Sequence, residues 1–321
     1  PPPPPPPFFF HPHAGIRDFC LSRGLGDVYK RQPVNCIFCL KANQRAAKMM
    51  TAGESAYKCQ NPGEKVDADL MGPTDEAVNK ERYAFVTKDE ASNFLKAAGI
   101  VSKEATATRD ALLKLYGQLA QERQRLKVFR TDGGTEFVAE FEDLLKSWHV
   151  HHEVGNLPDK PTTGARIERM MQLVGNGVRV TLLRSGLHYR FWAYALVTWC
   201  RNFNCTSLNP ESGQTPYEEY RGRPFAGTVV PFGCRVLFLE HNQEKKDERL
   251  KFEPKSKDGV FLGYAQYGGS LVLDVAAFRD KKTVRVVTTR DGTVKTDEFP
   301  MFYVAEMDRE AEKALHVLFA S

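Results

Sequence analysis

Three acidic residues in separate parts of the chain carry side chains that could bind divalent cations together. Asp69 opens the segment Asp-Leu-Met-Gly-Pro, Asp132 stands in Arg-Thr-Asp-Gly-Gly-Thr-Glu-Phe, and 35 residues separate Asp132 from Glu168. Carboxylate oxygens are the ligands that Mg²⁺ prefers, and the bound ion keeps positions for phosphate and water. Two such ions a few ångströms apart stabilise both the attacking and the leaving oxygen of a phosphoryl transfer. The three acids therefore predict metal-dependent chemistry on a phosphodiester.

The two aspartates are expected at the ends of β-strands. The run Leu126–Thr131 is β-prone and ends at Asp132, and the two glycines behind Asp132 turn the chain. Further upstream, apolar residues alternate with Asp67 and Asp69, which is the pattern of a short strand. Because Asp67 and Asp69 share one face of that strand, Asp67 competes with Asp69 for the role of first metal ligand.

Glu168 is expected near the start of a helix, from which its side chain can point into a cleft. The prolines and Gly164 ahead of it indicate a loop. Glu168 shares a helical stripe with Gln172, Gly175 and Arg179, whereas the apolar residues form a different stripe that faces the core. That apolar stripe consists of Ile167, Met171, Val174 and Val178.

Each motif taken singly also has a purely structural interpretation. An Asp-Gly-Gly sequence after an apolar run is usually a turn, because glycine tolerates positive φ. A glutamate early in a helix interacts favourably with the helix dipole. The functional prediction therefore depends on the ordered combination of the three motifs.

In this order the motifs resemble the integrase core of long-terminal-repeat retrotransposons of the Copia type. The resemblance runs from about Cys36 to about Pro300. Asp69–Pro73, Arg130–Phe137 and the proline-rich loop that ends at Glu168 look like the three catalytic motifs of that family. Further matches follow in the family's order at Phe191–Ala195, Thr215–Glu218, Phe232–Cys234, Lys251–Lys255 and Phe261–Tyr264, the last being a marker of the Copia type.

The resemblance implies an RNase H-like α/β integrase core followed by a small β-barrel-like C-terminal domain. It implies a DNA strand-transfer enzyme in which Asp69, Asp132 and Glu168 hold two Mg²⁺ or Mn²⁺ ions. The expected partners are DNA, both the element's ends and the target, and further copies of the same chain. Function in the nucleus and origin from a longer pol polyprotein follow from the same resemblance.

Beside the acids, the sequence departs from the motifs of the family. Thr163-Gly164 stands where the family usually has Asn-Gly, and Gly133 stands where it usually has Asn after the second aspartate. Lys88–Ser92 is a modified version of an acidic, serine-containing turn. Two other functions stay open: a catalytically inactive, DNA-binding relic of a mobile element, and an RNase H-type nuclease acting on hybrids. The family matches beyond the core argue against the nuclease.

The first 32 residues are expected to lie outside the fold. Ser22–Gln32 resembles the in-frame translation of a sequencing-library adapter, so the segment is expected to be an artefact, with a proline-rich disordered tail as the alternative. Cys36 and Cys39 follow as a Cys-x-x-Cys pair, which can supply half of a tetrahedral zinc site. In the resembled family two upstream histidines complete a Zn²⁺ site, but those positions fall within the suspect segment here. The pair is therefore either a zinc half-site or inert.

Spacing and composition divide the remaining chain into four regions. Within the core we expect a helix around Ala105–Gln121 with Leu119 facing inward, and helical structure from Glu168 to about Cys205. Short strands at regular spacing, beginning at Val229-Val230, predict a small barrel further on. The regions are a cysteine-bearing lead-in at 33–61, the integrase core at 62–222, the β-rich domain at 228–300 and a tail at 301–321.

Charge and cysteine content fit an intracellular globular protein and do not demand a nucleic-acid partner. The net charge of +5 permits a nucleic-acid partner. Six basic residues are expected to contact backbone phosphates rather than bases, although a solvated loop is the alternative for the later ones. Seven cysteines without disulfide-type spacing indicate a reducing compartment, and neither a signal peptide nor an apolar run of about 18 residues is found. The six basic residues are Arg166, Arg169, Lys245, Lys246, Arg249 and Lys251.

Overall fold

The computed structural model describes Cys59 and residues 61–154, 161–239, 252, 254–266, 268–281 and 283–302. For residues 161–166, 280 and 281 the description covers the backbone alone. Segments 1–32 and 303–321, and nearly all of the lead-in at 33–61, lie outside these ranges.

A mixed five-stranded sheet with the order β3-β2-β1-β4-β5 forms the centre of the core. β1, β2 and β3 form an antiparallel meander, whereas β4 runs parallel to β1 and β5 runs parallel to β4. Parallel neighbours need long crossover connections, which helices supply here. This arrangement confirms the predicted RNase H-like core. The strands are β1 (Lys65–Met71), β2 (Tyr83–Asp89), β3 (Leu95–Ile100), β4 (Val128–Thr131) and β5 (His151–Val154).

Helices cover both faces of this sheet. Two clusters of buried apolar residues, one on each face, hold the helices to the strands. No helix in the described part of the chain is long and apolar enough to cross a membrane. The helices are α1 (Ala105–Tyr116), α2 (Ala120–Arg125), α3 (Glu140–Ser147), α4 (Pro161–Ser185), α5 (Trp192–Thr206), α6 (Pro216–Arg221) and α7 (Val275–Lys281).

Glycines divide both of the helical stretches that the sequence predicted. α1 ends at Tyr116, where the N–H of Gly117 donates to the carbonyl of Leu113, and glycine is a poor helix former. Leu119 consequently lies outside the helix and is 51% exposed, so the prediction that it faces the core is wrong. Gly186 has a φ of 68° and ends α4 before α5 begins.

An antiparallel five-stranded sheet with the order β10-β6-β7-β8-β9 follows the core. Its outermost strands, β9 and β10, are consecutive in the chain and are joined by Arg290-Asp291 alone. A flat sheet would hold these two strands about 19 Å apart at the usual strand spacing. A two-residue link spans at most about 11 Å, so the sheet curls until its edges approach, as in the predicted barrel-like domain. The strands are β6 (Arg235–Leu239), β7 (Ser256–Tyr264), β8 (Ser270–Asp274), β9 (Val286–Thr289) and β10 (Gly292–Lys295).

α5 connects the two sheets. On one side the side-chain amide of Asn204 accepts from the N–H of Leu95 at 2.8 Å and donates to its carbonyl at 2.7 Å, on the edge strand β3. On the other side the hydroxyl of Thr198 donates to the carbonyl of Leu262 in β7 at 2.8 Å. The helix is therefore hydrogen-bonded to both sheets through buried side chains.

Candidate active site

Asp69 and Asp132 lie at the same level on two neighbouring parallel strands. β1 and β4 pair in a register that places Asp67 opposite Arg130. Continuing this register by two residues places Asp69 of β1 opposite Asp132, which directly follows β4. Because neighbouring strands lie about 4.8 Å apart, both carboxylates project from the same end of the sheet.

α4 covers the sheet face from which Asp69 projects. Asp69 and Met71 are two residues apart on β1 and therefore point to the same face. Met71 packs against the apolar cluster that includes α4 and α5, whereas Leu70 packs against the cluster on the opposite face. A Cβ at Gly175 of α4 would lie 3.6 Å from the sulfur of Met71, so this helix contacts the end of β1.

Glu168 is exposed near the start of α4, on the helical stripe that faces β1. It lies seven residues before Gly175, which is close to two full turns of a helix, so both positions share one stripe. The amide of Gln172 donates to its carboxylate at 3.0 Å. The buried stripe of α4 is as predicted at Ile167, Val174 and Val178, while Met170 rather than Met171 is deeply buried. Glu168 therefore extends from the helix on the same side of the sheet as Asp69.

The environment of Asp69 disfavours a negative charge. Burial raises the pKa of its carboxyl to about 6, and the nearby charges of Asp132 and Glu136 contribute to this rise. The N–H of Leu70 donates to Asp69 at 2.7 Å and partly opposes the effect on the pKa. The negative charges of Asp132 and Glu136 beside Asp69 form a place where a cation would relieve the repulsion.

The turn after β4 holds Asp132 and brings Glu136 towards it. The N–H of Gly134 donates to the carboxylate of Asp132 at 3.2 Å, and Thr108 of α1 donates to the carbonyl of Glu136 at 2.7 Å. A Cβ at Gly134 would lie 2.6 Å from the carboxylate of Glu136, so the side chain of Glu136 lies against this turn. The Asp-Gly-Gly segment is thus a turn, as its structural interpretation predicts, and it also orients Asp132.

Asp67, the competitor of Asp69, is engaged by an arginine. Its carboxylate is 2% exposed and lies 2.5 Å from Nη2 of Arg130, which also lies 3.3 Å from Glu90. Lys65 extends this buried group of charges through contacts with Glu90 at 3.8 Å and Glu153 at 2.8 Å. A carboxylate held in such a pair is compensated without a metal ion.

Sequence reasoning did not single out Arg130 or Glu136 as parts of the site. The available signal for Arg130 was its position two residues before Asp132, because alternation along β4 places both residues on one face. Glu136 follows Asp132 by four residues, across a turn whose geometry the sequence pattern did not specify. These two residues supply a positive partner for Asp67 and a further acid near Asp69.

In the described residues, no group of three or more acidic, histidine or cysteine side chains is arranged to hold a metal ion. Asp69 and Asp132 are brought together at the strand ends, and Glu168 stands on the covering helix. Carboxylate oxygens are the ligands that Mg²⁺ prefers, so the three acids fit this ion in chemical type. The convergence of all three acids on one ion stays a prediction.

The remaining predicted site residues are covered in part. Cys36, Cys39, Lys245, Lys246, Arg249 and Lys251 lie outside the described residues, as does the side chain of Arg166. Arg169 is exposed next to Glu168 on α4. The DNA-contact and zinc predictions therefore stay predictions.

Comparisons with known proteins return structural similarity alone. No protein-family model matches the chain, and no curated protein matches it. One similar structure is the simian T-cell lymphotropic virus intasome in complex with PP2A regulatory subunit B56 gamma, at 14% identity and a TM-score of 0.42, covering 74% of this chain and 83% of that chain. Another is the HTLV-2 integrase catalytic core domain in complex with magnesium (trimeric form), at 18% identity and a TM-score of 0.40, covering 50% of this chain and 97% of that chain. The fold of the core is assigned from its strand order and register, independently of these similarities.

Proposed function

We propose that this chain is a Copia-type retrotransposon integrase that catalyses metal-dependent DNA strand transfer. The observation that carries the proposal is the register of β1 and β4, which, continued by two residues, sets Asp69 beside Asp132 on the sheet face covered by the helix that presents Glu168. Carboxylates in this placement suit phosphoryl transfer between DNA strands. The order of the further sequence motifs supports the Copia type.

Asp69, Asp132 and Glu168 would hold the divalent ions. When bound, two such ions supply activation of an attacking hydroxyl and stabilisation of the leaving oxygen. The protein's own contribution is to present the carboxylates without their protons and in a fixed arrangement. Because the pKa of Asp69 is raised to about 6, ion binding must displace a proton from this residue at pH values below about 6.

The pair of Asp67 and Arg130 supports Asp69 as the first ligand. Arg130 precedes Asp132 by two residues on β4 and compensates the charge of Asp67, which precedes Asp69 by two residues on β1. Replacing Asp67 by Asn leaves a buried arginine with a weaker partner and lowers stability. Activity per folded molecule is expected to persist in that variant, whereas Asp69→Asn is expected to abolish it.

The proposal extends to the partners of the protein. Arg169, next to Glu168, together with Arg166 and the basic run from Lys245 to Lys251, would contact the phosphates of the element's ends and of the target. Such contacts position DNA and carry little sequence information. Assembly of several copies on DNA, function in the nucleus and release from a pol polyprotein belong to the same proposal. Cys36 and Cys39 would bind Zn²⁺ only if two upstream histidines completed the site.

The test is strand transfer by labelled DNA duplexes in the presence of Mg²⁺, Mn²⁺ or EDTA. We expect product with either metal and none with EDTA. The variants Asp69→Asn, Asp132→Asn and Glu168→Gln are each expected to lose at least about a hundredfold, since even residues behind the ligands of a metal site cost 10–100-fold when changed. Asp143→Asn is the matched control. The side chain of Asp143 is 75% exposed, and its helix, α3, packs against the opposite face of the sheet.

An inactive, DNA-binding relic is the second candidate. It is favoured by the lack, among the described residues, of a group of three side chains arranged to hold a metal ion. A relic would bind duplex DNA but yield no product with either metal. An RNA–DNA hybrid included as a further substrate identifies the nuclease alternative, which predicts cleavage of the hybrid alone.

A further inference from the structure

α4 and α5 pack closely at Gly177. A Cβ at this position would overlap the indole ring of Trp199, so only glycine leaves room for the ring. Trp199 is 8% exposed and stacks on Phe203 with a centroid separation of 5.1 Å, which restricts movement of the indole. Gly177 therefore forms a notch into which Trp199 fits, and this notch sets the distance between the two helices.

The helix that carries Trp199 is itself fixed. Asn204 ties α5 to the edge strand of the core sheet, and Thr198 ties it to β7 of the second sheet. Trp199 lies between these two attachment points. The indole ring of Trp199 is therefore held in place, and its contact with Gly177 determines the position of α4.

We propose that Gly177 is a positioning residue for Glu168, an inference that rests on the proposed function of Glu168 as a metal ligand. Glu168 lies nine residues before Gly177, or about 13 Å along the same helix. A helix moves as a rod over this length, so a displacement at the notch is passed on to Glu168. Seating of Trp199 in the notch holds the Glu168 stripe over the pair of Asp69 and Asp132.

The variant Gly177→Ala tests this inference, with Mn²⁺ binding by calorimetry and strand transfer as readouts. We expect Mn²⁺ affinity to fall at least fivefold and kcat for strand transfer to fall at least tenfold, with unchanged affinity for DNA. Gly175→Ala is the matched control. Its Cβ would lie 3.6 Å from Met71, an ordinary contact, and it changes the helix propensity equally, so both readouts should stay within twofold of the wild type.

A second variant keeps the test decisive if Gly177→Ala folds poorly. Trp199→Leu removes the overlapping ring, so the double variant Gly177→Ala/Trp199→Leu is expected to bind Mn²⁺ more tightly than either single variant. A merely structural role would lower the unfolding temperature without this rescue of metal affinity. Equal Mn²⁺ affinities in Gly177→Ala and Gly175→Ala, or a double variant no better than the singles, would overturn the proposal.

Mn²⁺ binding separates this inference from the proposed function. A wild-type protein that binds Mn²⁺ with the expected pattern of variants but transfers no strands would refute the enzyme and support the positioning role. A wild-type protein that binds no Mn²⁺ would remove Glu168 as a ligand and overturn the positioning role as well.

Discussion

Asp67 and Asp69 point to the same face of β1 but differ in the charge that lies opposite them. Asp67 faces Arg130 and is neutralised, whereas Asp69 faces Asp132 and is repelled. Alternation along the sequence placed Asp67 and Asp69 on one face but left the choice between them open. Which of the two aspartates lies opposite Arg130 depends on the register between β1 and β4. These strands are distant in the chain, so a local sequence pattern does not reveal their register.

Asp69 destabilises the metal-free fold above mildly acidic pH. Its pKa is about 6 in the folded protein against an ordinary value of 3.8. Between about pH 4 and pH 6 the unfolded chain loses this proton while the folded chain keeps it, so stability falls as the pH rises through this window. Asp69→Asn removes the effect. We expect the variant to be more stable than the wild type at pH 7 in EDTA by about 1–2 kcal/mol, since a pKa unit is worth about 1.4 kcal/mol and residual solvent contact reduces it.

Urea unfolding at pH 4 and pH 7 measures this difference. The gain in the free energy of unfolding should be present in full at pH 7 and much smaller at pH 4, where the folded wild type is protonated at Asp69 and the unfolded chain is protonated in part. A metal-free Asp69→Asn variant that is less stable than the wild type at pH 7 would contradict the argument.

At the level of elements, the Phe261–Tyr264 segment, which stands out in the sequence as a motif, makes contacts between the second sheet and the core. Phe261 and Leu262 are fully buried in different apolar clusters, one inside the second sheet and one shared with α5. Gly263 has a φ of 154°, and a Cβ there would lie 2.7 Å from the hydroxyl of Thr198. The segment therefore joins the second sheet to the core helix.

Tyr264 completes this junction and explains one misplaced strand. Its hydroxyl donates to Asn202 at 3.1 Å and accepts from the N–H of Val230 at 2.8 Å. The predicted strand at Val229-Val230 is an extended loop, since Val230 bonds a side chain instead of a neighbouring strand. Alternation of apolar residues cannot distinguish these two partners.

Helical periodicity predicted which face of α4 is buried but gave no sign of the notch at Gly177. The notch depends on Trp199, a residue of another helix, and an isolated glycine in a helical pattern signals only lower propensity. Contacts between elements of this kind emerge only when both elements are placed in space.

At the level of the whole molecule, regular spacing of short strands predicted a small β-rich domain after an α/β core. The strand order of the core was expected from family resemblance, because strand length and periodicity are compatible with several orders. Closure of the second sheet follows from the two-residue link between β9 and β10, a constraint that can be recognised once the pairings are known.

DNA binding is expected to depend on salt and hardly on sequence. Replacing Lys245, Lys246 and Lys251 by Glu changes the net charge from +5 to −1, since each replacement removes two units. If each lysine contacts one phosphate, the slope of log affinity against log salt should decrease in magnitude by about 3. Affinity for all duplexes should fall alike, and fluorescence anisotropy at several salt concentrations measures both quantities.

A control with equal charge change separates local contacts from net charge. Lys103, Lys114 and Lys146 are exposed on or beside α1 and α3, which cover the face opposite α4. Their replacement by Glu should lower affinity slightly and leave the slope nearly unchanged. If both triple variants behave alike, the run from Lys245 to Lys251 is a solvated loop.

The two hydrogen bonds between Asn204 and Leu95 occupy the backbone N–H and C=O of one residue at the edge of the core sheet, and we expect them to oppose self-association. An edge strand with free N–H and C=O groups is a template for pairing with a second chain, and β3 is such an edge. Asn204→Ala leaves both groups of Leu95 without this partner, at a cost of about 1–3 kcal/mol. We expect this variant to form oligomers through β3 on mild heating, which light scattering detects, whereas a variant that stays as monodisperse as the wild type would contradict this role. Any isolated fragment of the α/β core should accordingly extend through Thr206, because a shorter fragment exposes this edge to its neighbours.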